Sequence, residues 1–250
     1  MPRYKLTLEY DGTPFLGWQM QPLGPSVQGR LVDAVEKLCG VRPEVRGAGR
    51  TDAGVHALGQ VAHVDLPKAY KPYVIREAIN YHVRPDPIAV LDVVEVPETF
   101  DARFSAIKRH YLFRILARRA PPAIDKFRVW WVPQALDAER MKAAAPQLVG
   151  RHDFTTFRAA GCQAKSPVKT LERFDVSVVG EEIHVNASAQ SFMHHQMRSM
   201  VGSLKLVGEG KWTAEDLKAA LDARDRSRCG PVTPPSGLYL TKVDYPDGAF

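Results

Sequence analysis

The sequence predicts an α+β fold built from two similar halves, and three observations carry that prediction. Stretches of strand-like alternation are interleaved with stretches of helical spacing. The order of elements over about the first hundred residues returns in the remainder, with one helix added. Hydrophobic residues make up 45% and charged residues 25% of the 250, a balance that can bury a real core and that argues against wholesale disorder.

In the first half, Arg3 to Tyr10 alternates as a strand, with Tyr4, Leu6, Leu8 and Tyr10 on one face. Asp11-Gly12-Thr13-Pro14 is a turn. Ser26 is placed to cap a helix whose apolar positions are Val27, Leu31, Ala34, Val35 and Leu38, and Gly40 stops it. A short strand near Glu44 to Arg46 enters a glycine-punctuated loop from Gly47 to Gly59, and Gln60 to Leu66 resumes as a strand. Lys71 to Tyr81 reads as a helix with Pro72 in its first turn, and Ile88 to Val96 as a Val- and Ile-rich strand.

Little periodicity marks Phe100 to Ala106, and then the pattern restarts. Lys108 to Leu116 is a strand. Asp137 caps a helix towards Gly150 that Pro146 interrupts, and Leu171 to Val179 with Glu182 to Ala189 forms a hairpin about Gly180-Glu181. Met193 to Val207 is a helix with Met193, Met197, Met200, Val201, Leu204 and Val207 on one face. Thr213-Ala214-Glu215-Asp216 opens another, and Leu238 to Val243 closes the chain's pattern as a strand. The order β-α-β-β-α-β is the ferredoxin-like unit, which is also RRM-like. We therefore expect two such halves, residues 1–103 and 104–250, joined through a largely antiparallel mixed sheet with a central catalytic cleft.

Several function classes are disfavoured at this stage. No run approaches the roughly 18 apolar residues of a membrane span. Met1-Pro2-Arg3-Tyr4-Lys5 leads straight into a strand without a signal-peptide pattern. Cys39, Cys162 and Cys229 are scattered and odd in number, which disfavours a disulfide framework or a cysteine zinc site and suits a reducing cytoplasm. The net charge of +6 divides as +3 over residues 1–125 and +3 over residues 126–250, so a polyanion would have to meet a surface assembled by folding rather than a basic tail.

The most unusual stretch is Gly47-Ala48-Gly49-Arg50-Thr51-Asp52-Ala53-Gly54-Val55-His56-Ala57. A dinucleotide fingerprint fails because Asp52 stands at the third glycine position and no helix follows. A phosphate-binding P-loop is not met elsewhere either: Gly210-Lys211 is followed by Trp212. Two readings stay open. Asp52 caps a turn in a plain structural loop, or the loop presents a carboxylate beside the Arg50 guanidinium as a nucleophile for a glycosidic carbon or an electron-poor ring. His194 and His195 are adjacent, which on a helix sends them to different sides and away from a shared metal.

Gly49-Arg50-Thr51-Asp52-Ala53-Gly54-Val55-His56-Ala57 resembles the signature of the TruA family of tRNA pseudouridine synthases. Tyr10-Asp11-Gly12-Thr13 with Gly17-Trp18-Gln19 is similar to that family's N-terminal motif. Ala102-Arg103-Phe104-Ser105-Ala106 with Tyr111, Phe192 to Gly202, and Pro235 to Leu240 with Val243 and Tyr245 resemble later ones, in the family's order. The chain departs from the usual pattern at Phe192-Met193, at Gln196-Met197 and at Phe113, positions of packing and base contact.

The resemblance implies isomerisation of uridine to pseudouridine at positions 38–40 in the tRNA anticodon arm, by a cytoplasmic homodimer needing no cofactor and no metal. It implies Asp52 as the nucleophile, at C6 of the ring or C1′ of the sugar, and Arg198 as its partner. Tyr111 stacks on the flipped uracil or also takes the C5 proton. Arg50 fills the gap left by the base or meets a phosphate. Arg109, Arg118 and Arg119, with Lys108 and Arg114, form the densest basic cluster, which suits either RNA backbone or a charge-protected edge strand. Two rivals remain at this stage. One is a non-catalytic RNA-binding protein on the same fold. The other is a glycosidic-bond hydrolase, for which no second carboxylate stands at an obvious acid position.

Overall fold

A computed structural model describes residues 1–246 and 248. The elements in chain order are β1 (Arg3–Tyr10), α1 (Val27–Cys39), β2 (Val45–Gly47), β3 (His56–Asp65), α2 (Pro72–His82), β4 (Ile88–Val96) and β5 (Lys108–Ala117). They continue with β6 (Trp130–Val132), α3 (Ala138–Ala144), β7 (Gly150–Asp153), β8 (Val168–Val179), β9 (Glu182–Ala189), α4 (Gln196–Gly208), α5 (Ala214–Ala223) and β10 (Leu238–Asp244). The chain is α+β and falls into two compact units, Met1–Arg109 with Tyr239–Phe250, and His110–Leu238. The chain divides after Arg109, six residues beyond the expected 103/104 boundary, and from Tyr239 onward it is counted with the first unit.

In the first unit β1 pairs antiparallel with β4 on one side and β3 on the other, and β2 pairs antiparallel with β3. β1 alternates as its sequence dictates: Tyr4, Leu6 and Leu8 are fully buried. Each such side chain contributes roughly 1.5–3 kcal/mol by leaving water. α1 supplies Val27, Leu31, Ala34 and Val35 to the core and α2 supplies Ile75 and Ile79. The Ser26 side chain accepts from Gly29 N–H at 3.2 Å, and Gly40 ends α1 in the left-handed region at φ 75°, so both predicted helix ends hold.

β3 begins at His56, four residues before the expected start, and removes His56 to Gly59 from the loop. The reason is a distant partner. Tyr239 and Leu240 of β10 pair parallel with His56 and Ala57. A side chain at Gly59 would put its Cβ 2.4 Å from the Thr241 carbonyl oxygen, so glycine is what admits the incoming strand.

In the second unit the sheet runs β5-β9-β8-β7, with β6 parallel to β5 along Ile115–Trp130, Leu116–Trp131 and Ala117–Val132. The β8–β9 hairpin turns at Gly180 as predicted. Met197, Met200, Val201, Leu204 and Val207 of α4 are buried, as are Met141 and Ala144 of α3. Asp137 caps α3 at Arg140 N–H, but α3 ends at Ala144 and a 3-10 turn carries Pro146. α5 opens with the predicted reciprocal box between Thr213 and Asp216.

α4 starts at Gln196, three residues later than predicted, because His195 adopts a left-handed φ of 60°. Met193 and His194 therefore precede the helix. This corrects the expectation for the two histidines: they do not diverge on a helix, and their ring centroids lie 3.9 Å apart.

Candidate active site

In the first unit, Asp52 is half-buried in the loop between β2 and β3, with buried Thr51 before it and exposed Arg50 before that. The loop is seated by backbone and by buried side chains. Trp18 N–H donates to the Thr51 carbonyl at 3.0 Å, Ala48 N–H to Val61 at 2.7 Å and Val55 N–H to the Asp52 carbonyl at 3.1 Å. Gly17, at φ 95°, lies so near that a Cβ there would be 2.5 Å from the Thr51 oxygen. Any larger residue would lift the loop from its seat.

A buried polar chain runs beneath Thr51. The hydroxyls of Thr51 and Tyr10 are 2.8 Å apart, and Gln60 Nε2 donates to the Gly49 carbonyl at 2.9 Å and to the Tyr10 hydroxyl at 3.4 Å. Burial pushes the Tyr10 phenol up to about 12, against the Thr51 and Gln60 hydrogen bonds, so it stays a neutral hydroxyl at physiological pH. On the far side of the loop His56 is buried, stacked on Tyr239 at 4.7 Å, and its Nδ1 accepts from Gly12 N–H at 3.0 Å. The N-terminal motif and the Asp52 motif are thus one piece of structure. As motif letters Tyr10, Thr51 and His56 carry no sign of these roles, and Gln60 reads in the sequence only as the start of a strand.

Arg109 departs from the exposed basic cluster expected of it. It is 9% exposed, and its guanidinium donates to the carbonyls of Ala48 at 2.9 Å, Arg103 at 2.6 Å and Ala106 at 3.2 Å. Strand alternation places it inward on β5, the signal that could have excluded it from a surface role.

In the second unit, Tyr111 is half-buried on β5 and meets Phe192 edge-on, with centroids 4.9 Å apart at 78°. Phe113, two residues on, is fully buried against Trp130. Tyr111 thus sits at the more exposed end of that face. Arg198, in the first turn of α4, is half-buried and donates from Nε to the Thr233 carbonyl at 2.8 Å.

The rest of the basic cluster is partly neutralised. Arg114 makes a two-pronged pair with Glu182 at 2.6 and 2.8 Å, and this holds the Glu182 carboxyl below its usual range. Arg118 pairs with Glu181, whereas Arg119 is exposed.

A family model described as tRNA pseudouridine synthase matches residues 7–105 and 144–246. Three similar proteins, each called tRNA pseudouridine synthase A, come from Rhizobium leguminosarum bv. trifolii, Paramagnetospirillum magneticum and Rhodopseudomonas palustris. The first is 60% identical over 99% of this chain and 93% of its own length. The second is 61% identical over 98% of this chain and 96% of its own. The third is 61% identical over 98% of this chain and 100% of its own. A chain in the crystal structure of a Cbf5-Nop10-Gar1 complex matches 95% of this one and 48% of its own length at 13% identity, with a TM-score of 0.36, a likeness too slight to bear on the fold.

Proposed function

The chain belongs to the tRNA pseudouridine synthase family, and on that premise we propose that it isomerises uridine to pseudouridine at positions 38–40 of the tRNA anticodon arm, with Asp52 as nucleophile. The observation that carries the assignment is the seat of the Asp52 loop, a half-buried carboxylate on a backbone fixed from both sides by buried groups. Fixed placement is what a nucleophile needs, because a displacement of about 1 Å can cost on the order of a hundredfold in rate.

The reaction balances without a donor. The N1–C1′ bond breaks, the ring turns, a C5–C1′ bond forms, the C5 proton leaves and N1 gains one. Asp52 adds to C6 or C1′ and is released when the product bond is complete. Tyr111 is the base-stacking residue, supported by its half-exposed ring and by the edge contact that Phe192 makes with it. Arg198 is assigned to the same reaction on its motif, and Arg50 to the space or phosphate left by the extruded base, which suits its exposure. Arg118 and Arg119 are kept as weak RNA contacts, Arg119 being the more available.

The reading extends to the fold and the setting. The antiparallel order β4-β1-β3-β2 with two helices supports a ferredoxin-like first half, and the second half is read likewise. The functional domains are 1–103, with Asp52, and 104–250, with Tyr111 and Arg198. A cytoplasmic homodimer without a cofactor completes the reading. Among the described residues no helix is long and apolar enough to cross a membrane.

Release of tritium from C5 of labelled tRNA uridines tests the reaction. The unaltered protein should release it, and Asp52→Asn should release none while still binding tRNA. Appreciable turnover by that variant would remove Asp52 as nucleophile, and hydrolysis to free uracil would favour the glycosidase.

A further inference from the structure

Phe104 is 81% exposed, with the Arg103 guanidinium carbon 5.5 Å from its ring centroid. An exposed apolar side chain is ordinary on a mobile loop. This one stands on a backbone fixed by buried and charged groups. The Asp101 carboxylate accepts from Arg103 N–H at 2.8 Å and Phe104 N–H at 2.9 Å. His63 Nδ1 accepts from Ala102 N–H at 3.0 Å, and the Tyr245 hydroxyl donates to the Ala102 carbonyl at 2.7 Å. Ser105 closes the loop onto Asp101 through both its amide, at 2.9 Å, and its hydroxyl, at 3.0 Å. Buried Arg109 holds the Arg103 carbonyl with the same nitrogen that holds Ala48, at the root of the Asp52 loop.

A buried histidine and a buried arginine thus serve a loop whose tip is a solvated ring beside a cation. The backbone that carries the ring is settled in advance, so a flat ligand that meets it does so at a reduced ordering cost. An aromatic face next to a guanidinium suits a nucleotide, with the ring for the base and the cation for the phosphate. A base inside a duplex has both faces covered, so the ligand is an unpaired nucleotide. Exposed Arg50, two residues beyond Ala48, adds positive charge on the partner loop.

We propose that Phe104 stacks on an unpaired base of the substrate tRNA and that Arg103 meets its backbone, at an offset from the Asp52 loop set by Arg109. This rests on the reading of tRNA as substrate. It adds a contact outside the residues assigned to the reaction.

The test is binding of an unmodified tRNA transcript at several salt concentrations, with C5 tritium release measured separately. Phe104→Ala should raise Kd about tenfold, in keeping with the loss of one stacked base. Phe104→Trp should restore binding and Phe104→Leu should not. Arg103→Ala should lower the salt slope by about one phosphate contact. At 81% exposure, these Phe104 variants should keep the thermal midpoint of the unaltered protein. Unchanged affinity in Phe104→Ala, or full rescue by Phe104→Leu, would overturn the proposal. So would a change in sedimentation without a change in tRNA affinity, which would assign Phe104 to a second copy of the chain. If the unaltered protein binds tRNA without releasing tritium, the enzymatic reading fails, and the Phe104 contact still stands or falls on affinity.

Discussion

Around Asp52 the chain is held by directional polar bonds; Tyr111 leans on a ring contact, and Arg198 joins a hydrogen bond to the Thr233 carbonyl with the packed face of its helix. The first region uses the Tyr10–Thr51 hydroxyl pair, Gln60 on Gly49, His56 on Gly12 and Arg109 on Ala48. The second leans Tyr111 edge-on against Phe192 and carries Arg198 on a methionine-rich helix. Hydrogen bonds fix direction and are costly when broken in a buried place. Ring and methionine contacts are many, weak and forgiving of small shifts. The proposed role of Asp52 as nucleophile calls for the first kind of support, and the proposed role of Tyr111 under a turning base can use the second.

Arg109 is where loss of the polar support should cost most. Arg109→Met keeps the apolar stem but leaves the Ala48, Arg103 and Ala106 carbonyls without this donor. At about 1–3 kcal/mol for each buried unsatisfied group, the two buried carbonyls of Ala48 and Ala106 set an expected loss in urea unfolding of roughly 2–6 kcal/mol. A loss under 1 kcal/mol would mean that water replaces the guanidinium.

Gln60→Leu comes next. It should cost about 1–3 kcal/mol and lower kcat about tenfold or more through the loosened loop, with KM for tRNA nearly unchanged. A rise in KM with kcat preserved would place Gln60 in binding instead. Phe192→Ala should do the opposite in the other region. It removes a ring pair of about 0.5–1.5 kcal/mol and should raise KM more than it lowers kcat, while Phe192→Tyr restores both.

The smallest effect concerns pH. Burial lowers the His63 pKa from its ordinary 6.5, and the ring is held neutral with Nδ1 accepting from Ala102. A depressed histidine contributes stability that is full above the unfolded value and is lost as pH falls through the folded one. Thermal midpoints should therefore decline on acidification below about pH 6.5. His63→Asn, which keeps an acceptor but cannot titrate, should flatten that decline. An equal decline in the variant would move the acid sensitivity to another group.

Much of the fold was legible because its signals are local. The alternation of β1, the Ser26 and Gly40 ends of α1, the β8–β9 turn and the Thr213–Asp216 box are each written within a few residues. β6 and β7, of three and four residues, exist only through pairing with β5 and β8, so no periodicity announces them. The early start of β3 needs β10, and the late start of α4 needs a left-handed histidine, a conformation uncommon outside glycine. The site divided likewise. Asp52, Arg50, Tyr111 and Arg198 could be named from motif letters. The supports could not, because Gln60, Tyr10 and Arg109 gain their purpose only from groups far along the chain. Arg109 misled for a further reason: a lysine- and arginine-rich strand looks like a surface until alternation turns one guanidinium inward.

The parallel pairing of Tyr239 and Leu240 with His56 and Ala57 also sets an order of events during synthesis. The strand that completes the edge beside the Asp52 loop leaves the ribosome only after all of His110–Leu238 has been made. At about 5–20 residues per second, that edge stands open for on the order of ten seconds. The nascent chain must keep it from other strands until Tyr239 arrives to cover the His56 ring. The first unit begins early and finishes last, so a ribosome stalled within the second unit would hold an Asp52 loop whose neighbouring edge is still unclosed.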